Sequence, residues 1–517
     1  MPQETTPGGT PYYFLQLDLT GAPVAAADRA FIAQGDGAPV AADATDVFVV
    51  SHGWMADDDA AKRNYGSWID AMVAQGAAGD APAIGPDYKP QVVAVHWPSL
   101  PWGDERPDPD PRTQPEQYTA TVSGRYATRI LGPRAVAPES AGYDPAAYDP
   151  AAVGGTQAAM ATILASADDI AHDRRKRRSL LRGELADLPD LNSAYQQLFA
   201  AAGTSQPPLD PGDAIRQWTV PTQPEPAYPA RKEPASPGIL GEIAHDFERI
   251  WDDLVITLDH DVDKVRDLVL VVPRLVSFWK VKDRAHATGE GTVHQFLSRL
   301  QAAAPSARFH LMGHSFGTIV ISSALVGPAG GRPLPRPASS ALFAQGAMSL
   351  WAYAARDPYG TGQAGDYRAV YAAGQPLVSG PLVTTQSVHD LANRIFFPMA
   401  EQLGSPDTEA AARAAAAGTG AAVRAAPAGP ASRFPQYGAV GTFGLQDSAA
   451  PTSAGKVHRA HLDRLPSQEF DLKPGVIFNA EANDVIRKMQ PLEGAHSDIC
   501  HAELAHLFWQ AIAVGRA

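Results

Sequence analysis

Gly313-His314-Ser315-Phe316-Gly317 constrains this chain more than any other stretch. A short apolar run, Phe309 to Met312, enters it, and a second leaves from Thr318 onward. The pattern predicts a strand that turns sharply into a helix. So tight a turn leaves little room for side chains on either side of its apex, and glycine fits both places. The apex residue is then forced outward at the end of the sheet, often on a strained backbone. Here it is Ser315, whose hydroxyl becomes a candidate nucleophile. In a chain with 45 glycines the bare pattern also arises by chance, so its surroundings must decide.

Those surroundings alternate between strand and helix patterns. Tyr12 to Leu19 reads as a first strand. Asp46 to Trp54, "DVFVVSHGW", is a β-branched run ending in Gly, and Gln91 to Trp97 is another apolar strand. Between these two, Tyr65, Trp68, Ile69, Met72 and Val73 share one face of a helix. Strand, helix, buried strand implies a parallel sheet with a right-handed crossover. Ile243, Phe247, Ile250, Trp251 and Leu254 keep helical spacing, as do Val293, Phe296, Leu297 and Leu300 before the serine turn. Ala341 to Ser349, Pro381 to Ser387 and Gly475 to Glu481 read as later strands. Ile499, Leu504, Leu507, Phe508 and Ile512 predict a closing helix, with Ser497 or Asp498 as its N-cap. The fold class expected is α/β. The core should comprise 1–99 and 238–517, interrupted over 100–237 by a proline-rich and helical insertion. Asp407 to Ser432 is of low complexity.

Composition removes several function classes. The 517 residues are 45% hydrophobic and 19% charged, as in globular proteins. A formal net charge of -14 argues against nucleic acid as a partner. The basic run Arg174 to Arg178 has no aromatic residues interleaved and reads as a solvated face. With Cys500 the only cysteine, neither an internal disulfide nor a cysteine-based zinc site can form. "MPQETTPGGT" lacks the pattern of a signal peptide, and the longest apolar stretch, Leu268 to Trp279, is too short to span a membrane. The expected location is the cytoplasm, with no transmembrane segment. Metal chemistry has little support: HExxH is absent, and Asp57, Asp58 and Asp59 sit where a helix begins and acidic side chains favour its dipole. No cofactor is expected.

A serine hydroxyl is a weak nucleophile. It needs a base within hydrogen-bond reach, and the base needs a carboxylate to fix its tautomer. Of the 15 histidines, His496 lies on the loop after the last strand, whereas His501 and His506 are expected inside the closing helix. His314 reads as a turn residue. With Gly313-Ser315-Gly317, the strand-ending His52-Gly53, an acid after a later strand and a histidine after the final one, the chain resembles the α/β-hydrolase superfamily, in its serine esterase and lipase branch. The resemblance covers about Tyr12 to Trp97 and Ile239 to the C-terminus. It implies a doubly wound, mostly parallel sheet of about eight strands with helices on both faces.

The resemblance also implies site residues. Ser315 would be the nucleophile and His496 the base. The family's usual acid position, after the second strand beyond the serine, falls on Asp390. Asp357 occupies a slot used by some members, and carboxylates after the last strand, such as Asp484, remain open. The oxyanion would be met by the N–H groups of Phe316 and of Trp54, with Met55 as second choice for the latter. His52 would orient that loop. Leu268 to Trp279 is either an apolar cap over the site or a buried core helix. The activity expected is hydrolysis of a small-molecule or lipid-like carboxylic ester through an acyl-enzyme. An amidase, thioesterase or acyltransferase on the same fold, or an inactive binding protein that kept the fold, are the alternatives.

Overall fold

The computed structural model describes residues 3–54, 56–80, 87–99, 150–201, 210–212, 214–215, 265, 268–355, 364–371, 376–403, 436–446, 457–462, 467–489 and 494–516. The chain forms two compact units. One comprises Met1–Glu105, Val281–Pro398 and Ala426–Ala517; the other comprises Arg106–Lys280 and Met399–Ala425. Most of the insertion expected over 100–237 falls in the second unit, which extends further, to Lys280.

The first unit holds a mixed α/β arrangement. Its strands are β1 (Gln3–Thr5), β2 (Pro11–Gln16), β3 (Asp46–Ser51), β4 (Pro90–His96), β5 (Arg308–His314), β6 (Ser340–Ala344), β7 (Leu382–Gln386), β8 (Val457–His461) and β9 (Ile477–Glu481). Among the described residues they form one nine-stranded sheet in the order β1-β2-β4-β3-β5-β6-β7-β9-β8. Only β1 and β2 pair antiparallel; every other pair is parallel. All six residues of β3 are buried, as a parallel strand covered on both faces requires. Val49 pairs with Val93 on one side and Leu311 on the other.

Aromatic side chains cover this centre. Phe48 meets Phe508 and Trp509 of the closing helix edge-on, at ring separations of 6.4 and 6.2 Å. Trp509 Nε1 donates to the Met72 carbonyl at 2.9 Å, joining the helices Ala502–Arg516 and Asp58–Gln75. Tyr13 stacks on Phe296 at 6.4 Å. Burying Phe296 and Phe508, both fully enclosed, contributes about 1.5–3 kcal/mol each. The expected acidic run is a helix start: Asp57 accepts from the Ala60 N–H at 2.7 Å.

Three sequence expectations change. Two short strands, β1 and β8, carry no apolar alternation and were not anticipated. The strand expected over Ala341 to Ser349 stops at Ala344, because Gln345 takes a positive φ of 47° that breaks the extended backbone. The closing helix begins at Ala502, so His501 precedes it, and Asp498 instead accepts the N–H groups of Arg487 and Lys488.

In the second unit the helices Pro150–His172, Arg174–Leu181 and Pro189–Ala201 bury Ile163, Ala167, Leu180, Tyr195 and Leu198. Leu268, Val272, Leu275, Val276 and Phe278 are buried too, and Tyr195 donates its hydroxyl to the Val269 carbonyl at 2.7 Å. Most of the stretch Leu268 to Trp279 therefore lies in a packed helix, Val271–Thr288. The helix expected around Ile243 to Leu254 lies outside the described residues. No helix among the described residues is long and apolar enough to cross a membrane.

Candidate active site

β3 and β5 are neighbours, yet the chain leaves β3 towards β4 on one side and β5 towards β6 on the other. In open α/β sheets such a switch point opens a crevice at the carboxyl ends of the strands. His52-Gly53-Trp54 follows β3 there, and Ser315-Phe316 follows β5.

Ser315 has φ 55°, a conformation that costs a non-glycine residue about 1–3 kcal/mol. Its backbone is held on both sides: its N–H donates to Ala344 at 3.2 Å, and its carbonyl accepts from the Ala347 N–H at 3.2 Å and the Thr318 hydroxyl at 2.7 Å. Glycine is obligatory beside it. A Cβ on Gly317 would lie 2.2 Å from the Ser51 carbonyl oxygen, and one on Gly53 would lie 2.5 Å from Ser315 Cβ.

Three sequence-distant side chains converge here. Ser315 Oγ lies 2.7 Å from His496 Nε2, and His496 Nδ1 lies 2.9 Å from Asp390 Oδ2. The carboxylate accepts only, so Nδ1 carries the ring proton and Nε2 is left to accept from the hydroxyl. Asp390 is fully buried, and Gln345 Nε2 at 2.9 Å and Asn393 Nδ2 at 2.7 Å also donate to its Oδ2. The Asn393 N–H donates to its Oδ1 at 2.9 Å. All these partners are donors, which is what an acceptor-only carboxylate needs when buried.

Of the other acids, Asp484 pairs with His461 at 2.8 Å, whereas the carboxylate at His496 Nδ1 is that of Asp390. Asp357 lies outside the described residues, as does Met55.

His314 does more than turn the chain. Its Nε2 donates to the His496 carbonyl at 3.0 Å and so anchors the histidine loop to β5. Burial, with the neighbouring His496 ring, pushes its pKa down to about 3. His52 is buried and braces its own loop: Nδ1 donates to the Gly53 carbonyl at 2.7 Å, and its carbonyl accepts from Trp97 Nε1 at 2.9 Å. Its Nε2 meets His96 Nδ1 at 2.8 Å. Burial, then the nearby His96, holds its pKa well below the usual range, so it stays neutral. The Trp54 ring lies 5.9 Å from that of Phe316 and stacks on that of Phe396 at 5.7 Å.

A second Ser-His-Asp set exists. At the amino ends of the strands, His310 Nε2 lies 3.0 Å from Asp46 Oδ1 and its Nδ1 2.8 Å from Ser340 Oγ. Arg516 donates to Asp46 Oδ2 at 2.8 Å. Burial decides between the sets. Asp46, His310 and Ser340 are all 0% exposed, while Ser315 and His496 keep 4% and 8%. The Asp46-His310-Ser340 set secures the closing helix through Arg516, whereas the Ser315-His496-Asp390 set keeps some exposure at its serine and histidine.

Gln345 and Asn393 were not legible as site residues. Gln345 sat inside an expected strand, and Asn393 offered only its spacing from Asp390. Among the described residues no group of three or more His, Cys, Asp or Glu side chains is arranged to hold a metal ion. No family model, curated protein or solved structure matches the chain.

Proposed function

We propose that the protein is a serine hydrolase of the α/β-hydrolase fold that cleaves carboxylic esters through an acyl-enzyme. One observation carries this: the continuous relay from Ser315 Oγ through His496 to Asp390, with contacts of 2.7 and 2.9 Å. Ser315 Oγ attacks the ester carbonyl carbon while its proton passes to His496 Nε2. Asp390 stabilises the imidazolium and keeps Nδ1 protonated. The N–H groups of Phe316 and Trp54 are the proposed donors to the oxyanion, each such donor being worth about 3 kcal/mol. The imidazolium then protonates the departing alkoxide. Water, deprotonated by His496, releases the acid and restores Ser315.

The mostly parallel sheet, the strained serine at a strand-to-helix turn and the chain order Ser, Asp, His support the fold assignment. Esters are the least demanding substrates for such machinery. The test is labelling by a fluorophosphonate together with turnover of p-nitrophenyl esters of rising chain length. Both should vanish in Ser315→Ala. Turnover retained in that variant refutes the proposal, and turnover of thioesters or amides in preference to esters would move the substrate class.

A further inference from the structure

We propose that Gln345 is a positioning residue that ties the acid to the nucleophile, given the serine-hydrolase function proposed for Ser315. Among the described residues, Ser315 and Gln345 are the only non-glycine positions with positive φ, at 55° and 47°. Such strain persists where the surroundings over-determine it, and it gathers at functional sites. A glycine at position 345 would relieve it. The structure uses a long amide instead.

The turn around Gln345 grips the nucleophile by its backbone. Ala344, just before it, accepts the Ser315 N–H, and Ala347, just after it, donates to the Ser315 carbonyl, both at 3.2 Å. From the middle of this turn the Gln345 side chain reaches the acid, with Nε2 2.9 Å from Asp390 Oδ2. The amide cannot swing away. Its Oε1 accepts from Thr385 Oγ1 at 3.1 Å, and that same Oγ1 accepts from the Gln345 N–H at 3.1 Å. The Gln345 carbonyl accepts from Asn393 Nδ2 at 2.9 Å, and Asn393 in turn donates to Asp390. One turn therefore sets the position of Ser315 and the orientation of the Asp390 carboxylate together. A neutral amide suits this task. It fixes the plane of the carboxylate, whereas Lys or Arg would offset the negative charge that His496 needs during turnover.

The test uses the full-length chain and p-nitrophenyl butyrate. Gln345→Gly accommodates the positive φ and deletes the amide; Gln345→Met keeps the length without the donor. Both should lower kcat about 10- to 100-fold with KM changed less than about twofold, since misplacing a catalytic group by an ångström has effects of that size. Gln345→Glu should move the acid limb of kcat/KM to higher pH, because a second carboxylate stabilises the imidazolium. A merely structural glutamine would lower Tm and leave both kcat and the acid limb unchanged; that result overturns the proposal. Should the Gln345 variants fail to fold, Thr385→Val frees the amide without touching Asp390. It should lower kcat several-fold, and an unchanged kcat overturns the proposal. Turnover that survives Ser315→Ala would refute the hydrolase function itself. Ser315-dependent turnover indifferent to position 345 would refute only the role of Gln345.

Discussion

Asp390 Oδ1 accepts the Asn393 N–H at 2.9 Å while its Oδ2 faces His496 at the same distance. One carboxylate therefore opens the helical turn Ala392–Phe396 and orients the imidazole. The two tasks separate by substitution. Asp390→Asn keeps an oxygen for the helix start but favours the wrong tautomer of His496. It should lower kcat roughly 10³- to 10⁴-fold with little change in KM. It should lower Tm as well, because its amide NH2 would face the buried Gln345 and Asn393 donors at the Oδ2 position. Asp390→Ala should lose activity and also about 1 kcal/mol or more of stability, through the lost cap and the donors left without an acceptor. Steady-state kinetics and urea unfolding on both variants check this, with Asp357→Asn expected to stay near wild type.

kcat/KM should rise with pH through a single ionisation, because only a neutral His496 accepts the serine proton. The two other histidines at the site add no second limb. His314 is pushed down to about 3, and His52 lies well below its usual range, both chiefly through burial. Both are thus neutral across the working range. A profile from pH 5 to 9 checks this; an acid limb with the slope of two protons would contradict it.

The glycines around Ser315 should fail in different ways. A methyl on Gly317 would meet the Ser51 backbone at 2.2 Å, so Gly317→Ala should destabilise the fold by about 3 kcal/mol or more. A methyl on Gly53 would meet the Ser315 side chain at 2.5 Å. Gly53→Ala should fold but misplace the hydroxyl, reducing fluorophosphonate labelling at least about tenfold. Unfolding curves and labelling rates on the pair separate these outcomes.

Asp28 should make stability depend on pH. Its carboxyl is buried against the Tyr13 hydroxyl, and burial raises its pKa from 3.8 to about 6. The folded state thus holds this proton more tightly than the unfolded chain. Stability is fully present below the unfolded value, falls as pH rises through about 6, and stays lower above it. Asp28→Asn mimics the protonated acid. Its Tm should exceed wild type at pH 8 and match it at pH 4, which thermal melts at the two pH values can check.

Local pattern determined much of this protein. "DVFVVS" is a short β-branched run ending near a glycine, which reads as a covered strand, and "GHSFG" between apolar runs leaves a sharp strand-to-helix turn as its economical conformation. Those features bring Ser315 to the end of the sheet. The placing of His496 on a loop followed from the periodicity of the helix behind it, even though that helix starts later than its apolar spacing suggests. What needed tertiary structure was every choice among equivalents. Two Ser-His-Asp sets are encoded, and only burial distinguishes the one that locks the closing helix from the one whose serine and histidine keep some exposure. β1 and β8 are strands because an edge accepts their backbones, which no side-chain pattern announces. Gln345 and Asn393 join the site through hydrogen bonds to residues far along the chain. A polar side chain carries no periodic signal for such partners, since its place is fixed by the geometry of neighbouring strands and not by its own segment.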